Sequence, residues 1–527
     1  MAFRYKLRSI TPQDDPRTLL QEIHPPGNSF GEVLSGESKA PQWGAVISLL
    51  KYLGAKRLLI QYGIRDPDFL EEHQAFYAKQ HRPVTRKCVR IHAFSLDIPI
   101  PEKSDETAVL AFLDAAKAQD GSYIGFVTVR PLRHAPVGAT IISPPASRMP
   151  TAQDAFPVHI AGIEFSVTGT PFLQQDNAVG ACAQASIWMA LRTIRRRQGN
   201  VAYSPAELTV AATRYISSDR TFPGRAGLTV EQMLEAIRFA GHDPLHLAIR
   251  NQLTDEEQIQ SVLRQAVPYI ESGLPVIMGL KHANGGHAVV AIGLQNSSAQ
   301  QHQEVVTPTQ DDGATQITYT PSSAWTSALV IHNDNTGPYQ KLGSAPDGNY
   351  KLLQTVSLIV PLPDGIYTTA GEAEVLAIRA IVRLAAIFSG GTIGTLTLPE
   401  VPFVLRTILS TRHRFREWAK DDATLAPEIV ARYRTHELPE HMWVIEIHDK
   451  AVFNPGDPSR VSRVGEIVLD ASADSVHADA LIFGRVTSKL WPSAKASAAL
   501  LMWEDDQGVG AIGTAGSDFG RSLLKPW

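Results

Sequence analysis

Apolar and polar residues along the chain fall into two rhythms. Some stretches repeat every three to four residues, as helices do, and shorter runs rich in Val, Ile, Leu, Tyr and Phe suit strands. From the start to residue 155 the pattern predicts helices over 43–53, 68–80 and 106–118 and strands over 57–62, 89–96 and 123–129. This mixed α/β region ends in Ser143-Pro144-Pro145-Ala146-Ser147, which reads as a linker. Residues 156–362 predict a strand over 158–167 and helices over 182–198, 204–212, 229–240 and 256–272. Strands over 275–280, 287–294 and 328–332 follow. The polar stretch 295–323 is too long for a tight hairpin, so an inserted loop or an extended hairpin is expected there. Residues 363–527 predict helices over 372–388 and 401–420, strands over 442–447, 465–469 and 480–483, and a loosely held tail at 514–527.

Composition narrows the classes. Of 527 residues, 44% are apolar and 19% charged, ordinary values for filled cores. The net charge of -4 gives no reason to expect nucleic acid or an anionic membrane as the main partner. The most apolar stretches, 375–387 and 403–409, are too short to span a bilayer, and the N-terminus has no apolar leader run. A cytoplasmic protein is expected. The chain has two cysteines, Cys88 and Cys182, too few for a disulfide scaffold or an all-cysteine metal site.

Three segments carry chemistry. In PFLQQDNAVGACAQASIWMA (171–190) a polar loop meets a helix at Cys182. The positive end of a helix favours a thiolate, and free N–H groups there can hold an oxyanion. Gln174 and Gln175 upstream could add a side-chain donor. In GLPVIMGLKHANGGHAVVAIG (273–293) two strand-like runs flank a glycine turn, and His287 opens the second. An imidazole held by a sheet at a cleft suits a general base. In ALVIHNDNTGPY (328–339) an apolar strand runs into Asn333 and Asp334, either of which could orient His287. Alone, each segment has an ordinary reading: a packed thiol, a turn histidine, turn chemistry. Their order, Gln, Cys, His and then Asp or Asn, is stronger than any one of them.

The order and contexts resemble the papain-like cysteine peptidases, in particular their bacterial C39-like branch. The matching residues are Gln175, Cys182, Gly273 to Val276, Gly286 to Val290, and Asp334 to Gly337. The resemblance covers the middle region only. It implies a papain-like α+β domain at 156–362; the apolar pattern adds flanking mixed α/β domains at 1–155 and 363–527. There are departures. Ala183 follows the cysteine where the family usually has Gly, and Asn335 stands where it usually has Pro. The glutamine spacing is one longer than usual, which leaves Gln174, Gln175 and Asp176 open as the hole residue. The stretch 295–323 lengthens the gap from histidine to acid.

The resemblance implies a hydrolase of peptide or isopeptide bonds acting through a thioester. Cys182 is the expected nucleophile, His287 the base, Asp334 its orienting group and Gln175 the oxyanion donor, with Gln174 and Asn333 as second candidates. The expected partner is a protein or peptide substrate, and no metal or organic cofactor is required. An acyl transferase or deamidase would use the same groups, and a retired fold kept for binding is the alternative of another class. Arg195-Arg196-Arg197 is expected to be a solvated helix end, and 389–394 a helix-ending turn rather than a phosphate loop.

Overall fold

The structure is a computed structural model. It describes residues 4–23, 41–78, 84–100, 105–132, 134–175, 182–215, 227–249, 254–282, 285–308, 316–344, 350–389, 403–422, 425–455, 462–473, 480–486 and 489–492. Helices and strands are mixed throughout, an α+β arrangement. Contacts gather the chain into two compact units. Unit 1 takes residues 1–248, 275–293 and 330–361, and unit 2 takes 249–274, 294–329 and 362–527. This partition cuts across the three regions expected along the sequence. Among the described residues no helix is long and apolar enough to cross a membrane.

Unit 1 holds an antiparallel sheet in the order β1-β2-β3-β4-β5, made of Tyr5–Ser9, Arg57–Ile64, Cys88–Phe94, Tyr123–Val129 and Val137–Ile142. β4 and β5 are buried along their whole length, which is why their apolar runs do not alternate with polar residues. The stretch 158–167, expected as one strand, is a hairpin of β6 (Asp154–Ile160) and β7 (Ile163–Gly169). Ala161 and Gly162 turn it with φ of 48° and 85°, the left-handed pair that a tight hairpin demands. A second sheet runs β14-β13-β10-β9-β15-β8. Its strands are Gly337–Gly343, Thr326–Asn333, Gly285–Asn296, Val276–His282, Thr355–Leu362 and Asp243–Ala248.

The helix Cys182–Arg197 packs into the core of unit 1 and buries Ile187, Trp188, Met189 and Ile194. That core also contains Trp43 and Ile91 from the first region and Ile277 and Ile359 from the middle one. The first region therefore shares a core with the motif-bearing segments. The expected linker is tied in as well: the Ser143 N–H donates to the Ile124 carbonyl at 2.9 Å, and Arg148 Nη1 to the Tyr339 carbonyl at 2.6 Å. The arginine run is only in part the solvated helix end expected of it, since Arg196 is exposed but Arg195 is not. Arg195 is buried and donates to the carbonyls of Val201 and Ala240, Arg196 donates to Ala155 at 2.8 Å, and Arg197 to Gln153 at 2.8 Å. Carbonyls left free by neighbouring loops recruit these guanidinium groups.

Unit 2 centres on a sheet in the order β11-β12-β16-β17-β18-β19-β20. The strands are Val305–Pro308, Gln316–Pro321, Phe403–Thr411, His441–Asp449, Arg463–Asp470, Leu481–Val486 and Lys489–Pro492. The stretch 295–323 contains the extended hairpin β11–β12, and β12 joins β16 in parallel through Thr320 and Pro321. The helix expected over 401–420 is a strand followed by a helix. Phe403–Thr411 is β-branched and buried on both faces, and Thr411 then caps the helix Arg412–Asp421 by accepting from the Arg414 N–H. The tail 514–527 and residues 390–394 lie outside the described residues.

Candidate active site

Cys182 is the first residue of its helix and is half-buried. His287 is the third residue of β10, opposite Leu280 of β9, and not the strand's first residue. Asn333 ends β13, and Asp334 and Asn335 form the turn into β14. That turn closes with the Thr336 N–H on the Asn333 carbonyl at 3.1 Å. Gly337 follows with φ of 132°, and a Cβ placed there would lie 2.5 Å from Ala45 Cβ, so a side chain is excluded. Gln175 precedes the cysteine on the loop after β7. All these residues belong to unit 1.

One network joins His287, Asn333, Asn335 and Gln175. His287 Nε2 lies 3.0 Å from Asn333 Oδ1, which also accepts the Asn335 backbone N–H at 2.9 Å. Because a backbone N–H can only donate, that atom is the amide oxygen, and His287 Nε2 therefore carries the proton. Nδ1 holds the lone pair, which is the form a base needs. Asp334 Oδ1 stands 3.5 Å from His287 Nε2, and neither carboxylate oxygen makes a hydrogen bond among the described residues. Asn333 is thus the hydrogen-bonded partner of the imidazole, with Asp334 beside it.

The two glutamines separate cleanly. The side chain of Gln174 is consumed by structure: it accepts the Val137 N–H at 3.0 Å and donates to the His134 carbonyl at 3.0 Å. Gln175 instead turns into the site, where Nε2 donates to Asn335 Oδ1 at 3.1 Å. Asp176 lies outside the described residues.

Burial sets the electrostatics. It pushes the Cys182 thiol up to about 11, and the charge of Asp334 adds to the push. The backbone N–H groups of Ala288, Ala183 and Cys182 itself pull the other way. Burial pulls His287 down to about 4, opposed by the bond to Asn333 and aided by His282. Burial also lifts Asp334 well above the ordinary carboxylate range, against its own backbone N–H. Burial thus favours the neutral form of both the thiol and the imidazole. The sulfur sits against the N–H of Ala288, the residue that follows His287.

The sequence reading missed several contributors. Tyr350 stacks on His287 with ring centroids 4.8 Å apart, and its hydroxyl accepts from Asn335 Nδ2 at 3.2 Å. Gln42 Nε2 holds the Asp334 carbonyl at 2.8 Å. Arg130, fully buried and paired with Glu72 at 3.0 Å, holds the Gln174 carbonyl at 2.7 Å. Gln42 and Arg130 come from the first region and are far from the site in sequence, so no local pattern flags them. Asn335 was visible only as a departure from the family motif.

No protein-family model and no curated protein matches this chain. The likeness to papain-like peptidases rests on the motif residues alone. Among the described residues no group of His, Cys, Asp and Glu has the arrangement of a metal site.

Proposed function

We propose that unit 1 is a papain-like thiol hydrolase of amide bonds in peptides or proteins. The observation that carries this reading is the oriented imidazole. His287 is held by Nε2 at the end of β13, with Nδ1 free as base and the Cys182 sulfur beside the next residue's N–H. Cys182 attacks the carbonyl carbon while His287 Nδ1 takes the thiol proton. The charge that develops on the carbonyl oxygen is met by Gln175 Nε2 and the Cys182 backbone N–H. The intermediate then collapses, the C–N bond breaks, and His287 returns its proton to the departing amine. Water, deprotonated by His287, releases the acid from the thioester and restores the thiol.

Because the resting pair is neutral, the proton moves during attack, as it does for a serine nucleophile, rather than beforehand. The acid limb of activity then belongs to the first proton lost by the Cys182–His287 pair. Water replaced by an amine would give a transferase, and a side-chain amide as substrate a deamidase.

A second reading draws on the same shift. A thiol raised to about 11 also fits a retired site that binds a peptide without cutting it. Exposure to a mixed peptide library, followed by mass spectrometry, separates the two. The hydrolase reading expects cleavage that Cys182→Ala abolishes and that Asn333→Ala lowers by roughly 10²-fold or more. Peptide retention without cleavage, unaffected by Cys182→Ala, would contradict it.

A further inference from the structure

Asn335 occupies an unusual position. Its Nδ2 lies 3.3 Å from His287 Nδ1 and 3.5 Å from Nε2. An atom so nearly equidistant from both ring nitrogens cannot lie in the ring plane without striking the carbon between them. The amide therefore stands over the ring face, and the in-plane lone pair of Nδ1 stays clear of it. The other end of the same amide, Oδ1, accepts from Gln175 Nε2 at 3.1 Å, and Nδ2 also donates to Tyr350 Oη at 3.2 Å.

We propose that Asn335 is a positioning residue of the hydrolase site, whose amide ties the oxyanion donor Gln175 to the face of the base His287. One group then sets two properties. It takes one N–H of Gln175 and so aims the remaining one, where a carbonyl oxygen can use it. It also turns the positive end of an amide toward the imidazole face. A neutral ring accepts that contact, and an imidazolium is repelled by it. Asn335 thereby opposes early protonation of the base and favours proton transfer during attack. The inference rests on the hydrolase reading of unit 1.

The other titratable groups facing His287 are Asp334 from the end of β13, Cys182 from its helix, His282 from β9 and Tyr350 ahead of β15. They are kept in the test. Asn335→Asp preserves the side chain's shape and the acceptor for Gln175, and lets Tyr350 Oη donate in its turn, but sets a carboxylate over the ring.

The experiment is the rate of Cys182 alkylation by iodoacetamide against pH, read by peptide mass spectrometry. It uses the full chain, Asn335→Asp, Asn335→Ala and His287→Ala, each checked by circular dichroism. The acid limb is expected to move to higher pH by roughly one unit or more in Asn335→Asp, and by less in Asn335→Ala. A limb that stays at the parent's pH in Asn335→Asp, while His287→Ala removes it, would overturn the role of Asn335 and leave the hydrolase reading intact. A parent profile that His287→Ala does not change would overturn both.

Discussion

The two units bury polar groups in opposite ways. In unit 2 a row of charges crosses four neighbouring strands: Arg406 faces Glu446, Glu446 faces Glu466, and Glu466 faces Arg485. The row is held by charge-assisted bonds, Arg406 Nη1 to Glu446 at 2.8 Å and both Arg485 Nε and Nη2 to Glu466 at 2.6 Å. Asp422 pairs with Arg463 beside it, and Tyr433 donates to Glu466. Burial would lift Glu446, yet Arg406, His448 and Arg463 outweigh it and hold the carboxyl well below its ordinary range. In unit 1 the buried groups around Cys182 are under-partnered and shift toward their neutral forms. Paired buried charge keeps the Glu446 carboxylate ionised in the interior. On the hydrolase reading proposed above, buried titratable groups kept neutral around Cys182 are a reservoir for chemistry.

The largest expected effect concerns the extent of unit 1. Residues 156–362 produced alone are expected not to fold, because Trp43, Ile47 and Ile91 of the first region belong to the core around Trp188. A poorly dispersed amide spectrum would be the expected result, and a cooperative unfolding transition would refute the shared core. Next comes the charged row. Glu466→Ala strands Arg485 in the interior and is expected to cost about 3–5 kcal/mol, read by denaturant unfolding. Cys182 alkylation should stay unchanged.

Acidification should distinguish the units further. Burial pulls His92 down to about 3, and His287 and His332 to about 4, so unit 1 keeps these rings neutral. An unfolded histidine takes up a proton below about 6.5 and these folded ones do not until much lower, so stability falls as pH drops through that window. Asp68, lifted to about 6 by burial, and Asp334, lifted well above the ordinary carboxylate range, bind protons in the folded state and offset part of the loss. A net decline of a few kcal/mol between pH 7 and about 4.5 is expected, read by hydrogen exchange in peptides of unit 1. No decline would contradict the burial of neutral rings.

The smallest effect sharpens the contrast. Asp334→Asn removes a carboxylate whose oxygens make no hydrogen bond among the described residues. Stability should change by no more than about 1 kcal/mol. Once the pH exceeds the raised value of Asp334, the thiol in Asp334→Asn, relieved of that negative charge, should be more acidic, so alkylation at alkaline pH should rise.

Much of the site was legible in the sequence because its parts are local signals. A polar loop meeting a helix marks Cys182, a glycine turn opening a strand marks His287, and a strand ending in Asn-Asp marks the orienting groups. What could not be read depends on distant contacts. The choice between Gln174 and Gln175 is made by Val137 and His134, and that between Asn333 and Asp334 by which side chain reaches Nε2. Tyr350 stacks on His287 from beyond β14 in sequence, a contact that no local pattern marks. The failure over 401–420 has a different cause, since a strand buried on both faces has no period to distinguish it from a buried helix.

Whether Cys182 and His287 work as one pair is read from the pH dependence of Cys182 alkylation in the parent and in His287→Ala. In the parent, reactivity is expected at neutral pH, with an acid limb near the low value of His287, about 4. In His287→Ala reactivity should appear only as pH climbs toward the thiol's own value, about 11. Coincident profiles for the two proteins would contradict the pairing.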